Sequence, residues 1–349
     1  MTVQTPASIP VIAVRRACVE DRARLLNFYV EHHAQRSRLT DGAIWDWLFL
    51  KQPDMSGELP LYILEANGDI AGGIGYIGAQ AQVDGQTIPA ILPINYFINP
   101  AFRGLPALRL LRMALDDRAL AIGAYVSPDA LRLLQKMGFV DLSASVRSYH
   151  YGLRAESGLR SVATVALRRV AELLRCGVRA IMHRRLSHRV GAELDREFVE
   201  QCHPAAGLNR MQKRFAWLEW RYVKSPLLNS ALFRVEFVYQ FRSGRPVAMA
   251  IIAVDATRRE LILLDVIWSE GAVLGAVIDR AIERGRAAGC RVVSTNALSA
   301  PLHQTLTACL FASTVSNIGM MVMARDPMVR AAATDPARWH FMVGDCDAY

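Results

Sequence analysis

Apolar and polar residues alternate over 61–66 and again over 70–77. That period of two predicts a pair of strands, and the Asn67-Gly68 step between them predicts a tight hairpin. Shorter apolar runs predict further strands at 11–14, at 83–88 around Asp84-Gly85, and at 91–98, 122–126 and 146–153. Intervals of three and four predict helices over 19–32, 40–51, 108–119 and 129–136. Thr40 or Asp41 caps the second of these, Pro53 lies just beyond it, and Gly138 supplies a left-handed stop after the last. The order reads β-α-α-β-β-β-α-β-α-β.

The second half repeats the first. Trp47, Phe49, Lys51 and Pro53 return at the same spacing as Trp220, Tyr222, Lys224 and Pro226. The Asn67-Gly68 turn has a counterpart in Ser243-Gly244, and Ser127 to Phe139 aligns without a gap on Ser299 to Phe311. Strands are expected at 235–241, 247–254, 261–267, 292–295 and 320–323, with helices at 272–288 and 301–309. Three shared segments in one order imply a duplicated domain. The length of 349 residues accommodates two units of about 150 residues, each large enough to bury its own core.

Composition narrows the class. The apolar fraction of 52% fits a folded globular chain. Six cysteines without a C-x-x-C pair fit a reducing compartment. The start of the chain lacks the charged and long apolar regions of a cleavable leader, and 85–102 is interrupted by Pro89, Pro93 and Pro100. A cytoplasmic protein is expected, possible contact being with the inner face of the membrane.

The net charge of +9 is concentrated: nine arginines face two glutamates between Arg154 and Val190. There Leu159, Val162, Val170, Leu173, Leu174, Val178 and Ile181 form one stripe of an amphipathic helix, with Arg168, Arg175 and Arg179 opposite. Either this basic helix over 158–190 links the domains with a solvated face, or it meets an anionic membrane surface or a lipid-linked acceptor. Nucleic acid is a poor fit, since no aromatics interleave with the arginines.

Three features of the first half carry a family resemblance. Ile98-Asn99-Pro100-Ala101-Phe102-Arg103-Gly104 is similar to the strand-Pro-x-aromatic-Arg-Gly entry to a pyrophosphate loop. The helix after it would turn its N-terminus towards that anion. Ser127 to Phe139 ends in Lys136-Met137-Gly138-Phe139. In this order the first half resembles the GNAT superfamily of acyl-CoA N-acyltransferases. The resemblance implies an α/β fold with a mixed sheet. It divides the chain into a GNAT-like domain over 8–152, a basic linker over 153–193, a second and more degenerate GNAT-like domain over 194–330, and a C-terminal tail over 331–349 docking on the body.

The resemblance also implies a site. Tyr96, Phe97 and Ile98 would hold pantetheine by strand-like hydrogen bonds. Arg103, Gly104, Leu105, Pro106, Ala107 and Leu108 would form the pyrophosphate loop, with Ser127 and Ala130 also on the cofactor side. Pro106 and Leu108 depart from the family's small residues, and Pro106 removes a backbone donor. Leu134 stands where the family's acid Tyr is usual. In the second half Glu270 opposes an anion and Leu310 replaces Gly138.

The candidate catalytic residues are Asn95, Tyr96 and Asp265, the last a carboxylate within an apolar run, at a bulge facing a cleft or paired with an arginine. His150 is a candidate base or decoration on an edge strand. Trp47 and Trp220 line acceptor pockets or anchor cores. Asp345 and Asp347 suit an amino group, and neither they nor Cys202-His203 have the further ligands a metal needs. No metal is expected. The resemblance implies acetyl-CoA or another acyl-CoA as substrate and a small amine or glycan as acceptor, such as an amino sugar, since paired GNAT-like domains of this kind resemble proteins associated with bacterial surface-polysaccharide synthesis. The alternative is a catalytically inactive binding or scaffold protein of envelope assembly, which Pro106, Leu108 and Leu134 favour.

Overall fold

The computed structural model describes residues 10–33, 38–53, 57–116, 118–154, 186–202, 204 and 206–345, with five single helical positions between 166 and 177. Most of the basic helix, and with it the expected membrane or lipid-linked partner, lies outside the described residues, as do His203 and Asp347. Contacts divide the chain into two compact units. The first takes the described residues up to Ala79 together with Ala90–Ala121; the second takes Gln80–Pro89 and those from Ile122 onward.

In the first unit β1 (Ile12–Arg16) pairs antiparallel with β2 (Leu61–Ala66), and β2 with β3 (Asp69–Val83). β4 (Gln86–Ile98) meets β5 (Leu120–Ala124) in parallel at Ala90–Leu120 and Ile91–Ala121. The expected separate strands at 83–88 and 91–98 are one long hairpin turning at Asp84-Gly85. Pro89 and Pro93 each remove a donor without ending β4.

Three helices accompany this sheet: α1 (Arg22–His33), α2 (Gly42–Leu50) and α3 (Leu105–Asp116). Asp41 caps α2, accepting from the Ala43 N–H at 2.8 Å. α3 starts three residues earlier than the periodicity predicts, because Gly104 at φ +103° breaks the preceding turn and Pro106 fits a first helical turn.

The Trp47 segment fastens α2 to β3. Trp47 and Phe49 are buried, and a Cβ on Gly75 would lie 2.4 Å from the Phe49 ring, so only glycine allows this approach. Buried Gln52 donates to the Leu48 carbonyl at 2.5 Å and the Tyr76 carbonyl at 2.9 Å, and accepts from the Gly78 N–H at 2.8 Å. One side chain thus satisfies three backbone groups.

In the second unit the sheet runs β8 (Leu186–Gly191), β10 (Phe233–Arg242), β11 (Arg245–Asp255), β12 (Glu260–Trp268), β13 (Val292–Leu298), β7 (Arg147–Gly152), β14 (Ala312–Val315). Only the β12–β13 step in this run is parallel. Two further pairs are β6 (Val140–Asp141) with β15 (Met320–Ala324) and, in parallel, β9 (Asn209–Met211) with β16 (Trp339–Met342). α7 (Gly271–Ala287) and α8 (Ala300–Ala308) bury Val273, Leu274, Ile278, Leu302 and Leu306 against this core. The shorter helices are α4 (Pro128–Lys136), α5 (Arg196–Gln201), α6 (Phe215–Leu218), which runs on into a wider turn through Val223, and α9 (Pro327–Ala333).

Two expectations change here. Residues 186–190, read as the end of the basic helix, form β8, because the free edge of β10 takes them up and Gln240 donates to the Ser187 carbonyl at 2.8 Å. β7 is flanked by β13 and β14, so exposed His150 is not on an edge strand.

The segments that align in sequence share backbone conformation even where residues differ. Asn67 and Gly68 (φ +53° and +89°) match Ser243 and Gly244 (+51° and +81°), and Gly138 (+92°) matches Leu310 (+66°). Gln52→Ala is expected to lower unfolding stability by about 1–3 kcal/mol in urea melts, since it orphans buried backbone groups. Lys51→Ala, its exposed neighbour, should change it by no more than about 0.5 kcal/mol.

Candidate functional site

β4 is kinked. Asn95 holds φ +53° inside the strand, and Tyr96, Phe97 and Ile98 follow it towards the loop. Asn99 then caps a single turn, accepting from the Ala101 N–H at 3.0 Å, and the chain passes through Arg103 and Gly104 into α3. Arg103, Gly104 and Leu105 are exposed, and a Cβ on Gly104 would meet nothing within 4 Å.

The first turn of α3 contains no acidic residue, so the partial positive charge of its N-terminus is uncompensated by its own side chains. Leu105 and Ala107 retain N–H groups there; Pro106 has none, and the Leu108 N–H bonds the Gly104 carbonyl at 3.0 Å. The Tyr96 hydroxyl donates to the Ala107 carbonyl at 2.9 Å, tying the strand to the helix, and burial pushes that phenol up to about 12. Phe97 rests against Tyr29, ring centres 5.5 Å apart. A cleft of about 540 Å³ opens beside the same turn, with Arg24, Glu31, His32, Asn99 and Phe102 on its walls. Ser127 and Ala130 belong to the second unit, where the Ser127 hydroxyl caps α4 by accepting from the Ala130 N–H at 3.3 Å.

In the second unit the corresponding strand is β12. Counted back from the last residue of each strand, Asp265 is the counterpart of Asn95. The irregularity recurs as well: Ile251 faces Asp265 and Ile252 faces Leu263, leaving Leu264 as a bulge. β12 and β13 pair only over Glu260–Val292 to Ile262–Ser294 and then diverge.

The gap between them is filled by the chain itself. β16 takes the edge that β12 leaves, pairing Met342 with Ala297 and Phe341 with Leu298. His340 Nε2 donates to the Val266 carbonyl at 3.0 Å, and its ring stands edge-on to Trp268. Burial holds this imidazole well below its ordinary pKa, so it is neutral. Gly344 packs so closely that a Cβ there would be 2.6 Å from the Leu264 carbonyl oxygen, and Arg221 Nε donates to the Gly344 carbonyl at 3.0 Å. Helix α7, the counterpart of α3, begins next to Glu270, whose carboxylate pairs with Arg242.

Beneath the filled gap lies a buried ionic cluster. Lys213 Nζ is 2.5 Å from Asp265 Oδ1 and 3.0 Å from Asp345 Oδ1, with both carboxylates fully buried. The Tyr222 hydroxyl donates to Asp265 at 3.0 Å, and Asp345 accepts from the Met342 N–H at 2.8 Å. Burial pushes the Asp345 carboxyl up to about 6, against the pull of Lys213 and with Asp265 adding repulsion. The two carboxylates and the lysine keep one another in place, and through Asp345 they fasten the segment that follows α9.

The sequence singled out Asp265 and Asp345 separately, and the fold brings them together; the cation between them is Lys213, not an arginine. Lys213 went unread because Gln212-Lys213-Arg214 looks like a solvated run. The apolar neighbours of Asp265 were the signal that a buried cation had to exist somewhere. Trp47 and Trp220 are both buried. Cys202 is buried too, its thiol pushed up to about 12.

No protein-family profile matches the sequence, and no curated protein matches it. Solved structures do. A conserved protein of unknown function from Enterococcus faecalis V583, described as a probable N-acyltransferase, aligns with a TM-score of 0.59 at 12% identity, over 94% of this chain and 74% of that one. A GCN5-related N-acetyltransferase from Anabaena variabilis aligns at 0.57 and 14% identity, over 90% and 73%. Saccharomyces cerevisiae N-myristoyltransferase with bound myristoyl-CoA aligns at 0.53 and 11% identity, over 96% and 91%. The chain has the GCN5-related N-acetyltransferase fold.

Replacing Lys213 by Met leaves two buried carboxylates without their cation and is expected to cost about 3–5 kcal/mol. Lys224→Met removes an exposed pair and should cost less than about 1 kcal/mol. Between pH 3.8 and about 6 the native Asp345 keeps a proton that the unfolded chain has lost, so its contribution to stability falls as pH rises through that window. Asp345→Asn should therefore gain in Tm relative to the unsubstituted protein from about pH 4 to pH 7. Parallel Tm curves for the two would contradict the assignment.

Proposed function

We propose that the chain is an acyl-CoA-dependent N-acyltransferase, with acetyl the simplest donor group and a small amine, such as an amino sugar, the acceptor. The observation that carries this reading is the kinked β4 leading through Arg103 and an exposed Gly104 into a helix N-terminus without acidic residues, within a fold used by acyltransferases. Arg103 and the N–H groups of Leu105 and Ala107 would hold the pyrophosphate, with glycine allowing close approach. The backbone of Tyr96, Phe97 and Ile98 would carry pantetheine.

In the reaction the amine nitrogen attacks the thioester carbonyl, the C–S bond breaks, and the departing thiolate takes up the proton that the amine releases. Asn95, at the kink, is our candidate for ordering the water that relays this proton. Tyr96 acts through its backbone, its hydroxyl being engaged by Ala107. Asp265 we read as structural, since it is fully buried against Lys213 and Tyr222. The second unit would bind no acyl-CoA, because β16 occupies the space between β12 and β13.

Among the described residues no helix is long and apolar enough to cross a membrane. Work at the cytoplasmic face, on a glycan or lipid-linked acceptor of surface-polysaccharide synthesis, belongs to the same proposal. A second reading, an inactive binding or scaffold protein, is favoured by Pro106, which deletes one donor from the first turn of α3.

Calorimetry with coenzyme A is expected to give one site per chain, and saturation at 100 times Kd should stabilise the protein by about 2.7 kcal/mol. Pro106→Gly restores the donor and should tighten binding several-fold. Absence of binding at millimolar coenzyme A, by both calorimetry and thermal shift, would make the scaffold reading the better one.

A further inference from the structure

The second unit contains a cleft that the acyltransfer reading does not use. It measures about 500 Å³ and opens between α5, the strand β9 and the start of α6, over β11 and β12. Its floor is apolar: Phe198, Met249 and Ile267 are all buried. A narrower pocket continues inward past Ile267 to Leu208, Val266 and Trp268.

The rim is cationic. Arg196, Arg210 and Arg214 line the cleft, and Glu200, the one lining carboxylate among the described residues, pairs with Arg196 at 3.6 Å. Lys213 also lines it but is neutralised from below by Asp265 and Asp345. Arg210 Nη2 donates to Gln82 Oε1 at 2.5 Å, and Arg214 Nη2 to Gln212 Oε1 at 3.2 Å. An amide oxygen orients a guanidinium without cancelling its charge. The Arg196 guanidinium lies 3.9 Å from the centre of the Phe215 ring, which holds it at the cleft mouth. With Arg196 met by Glu200, Arg210 and Arg214 beside a buried apolar floor match a ligand with one anionic head and one greasy body.

We propose that this cleft binds a small anionic amphiphile, a carboxylate or phosphate ester carrying an alkyl or prenyl chain, with the head on Arg210 and Arg214 and the chain over Phe198, Met249 and Ile267. The site is independent of coenzyme A and stands whether or not acyl-CoA binds in the first unit.

Dodecyl phosphate, kept below its micelle concentration, is the probe, followed by calorimetry on the full chain. Saturable one-to-one binding is expected, weakening with salt. Arg214→Gln, an exposed substitution that leaves the fold intact, should weaken it about tenfold, and Arg210→Gln by at least as much. Dodecanol and inorganic phosphate should each bind far more weakly. Equal binding of dodecanol would remove the anionic part of the proposal, and equal binding of inorganic phosphate the apolar part. Affinity for phosphatidylglycerol vesicles without affinity for the free probe would overturn it in favour of a membrane surface. The titration repeated in saturating coenzyme A should be unchanged; displacement would mean that the probe had occupied the cofactor site, and unchanged affinity in Arg214→Gln would overturn the assignment of the head.

Discussion

An ammonium group taken out of water has to be met by negative charge, and Lys213 is met twice. Asp265 comes from the bulge of β12 and Asp345 from a turn that follows β16, so one cation joins a core strand to a segment far along the chain. Removing either carboxylate leaves a different imbalance, and removing the lysine leaves the worst one. The parallel edge of β9, the seat of His340 on Val266 and the close fit of Gly344 on Leu264 all presuppose that this segment stays where Lys213 holds it. The floor of the cationic cleft lies over the same strand.

The segments that align between the two halves of the sequence keep several backbone features in common. Hairpin turns at 67–68 and 243–244, a left-handed residue before the aromatic at 139 and 311, and an irregularity late in β4 and in β12 are common to them. The side chains around them have diverged. A glycine and an arginine precede α3, whereas Glu270, paired to Arg242, precedes α7. β4 leads from a kink towards an open helix end, whereas the gap beside β12 is taken by β16. A gap between parallel strands exposes unpaired backbone groups, and a peptide satisfies them as well as a pantetheine arm does.

Much of this was legible in the sequence. The main strands, the main helices and the fold follow from periodicity and from the segments around Trp47, Arg103 and Gly138, because those features are local. Asp265 was legible as an anomaly, since a carboxylate inside Leu261–Val266 demands a partner. The identity of that partner was not, because Lys213 sits among polar residues and only the tertiary fold buries it. Nor was β16, whose four residues pair with strands distant in sequence. The early start of α3 was not legible from periodicity, because Leu105, Pro106 and Ala107 precede its apolar spacing, although Pro106 is comfortable in a first turn.

The position of β16 also bears on how the molecule is made. A strand that lies between β9 and β13 is synthesised after both. Until residues 339–345 have left the ribosome, β13 has an open edge, Asp265 and Lys213 lack their second carboxylate, and the bulge of β12 is wet. The second unit therefore completes its sheet late and through contacts of long sequence separation, the kind that makes folding slow. During that interval the exposed edge of β13 is a template for any extended peptide nearby, so the order of synthesis makes this edge the place where nascent chains would cross-pair.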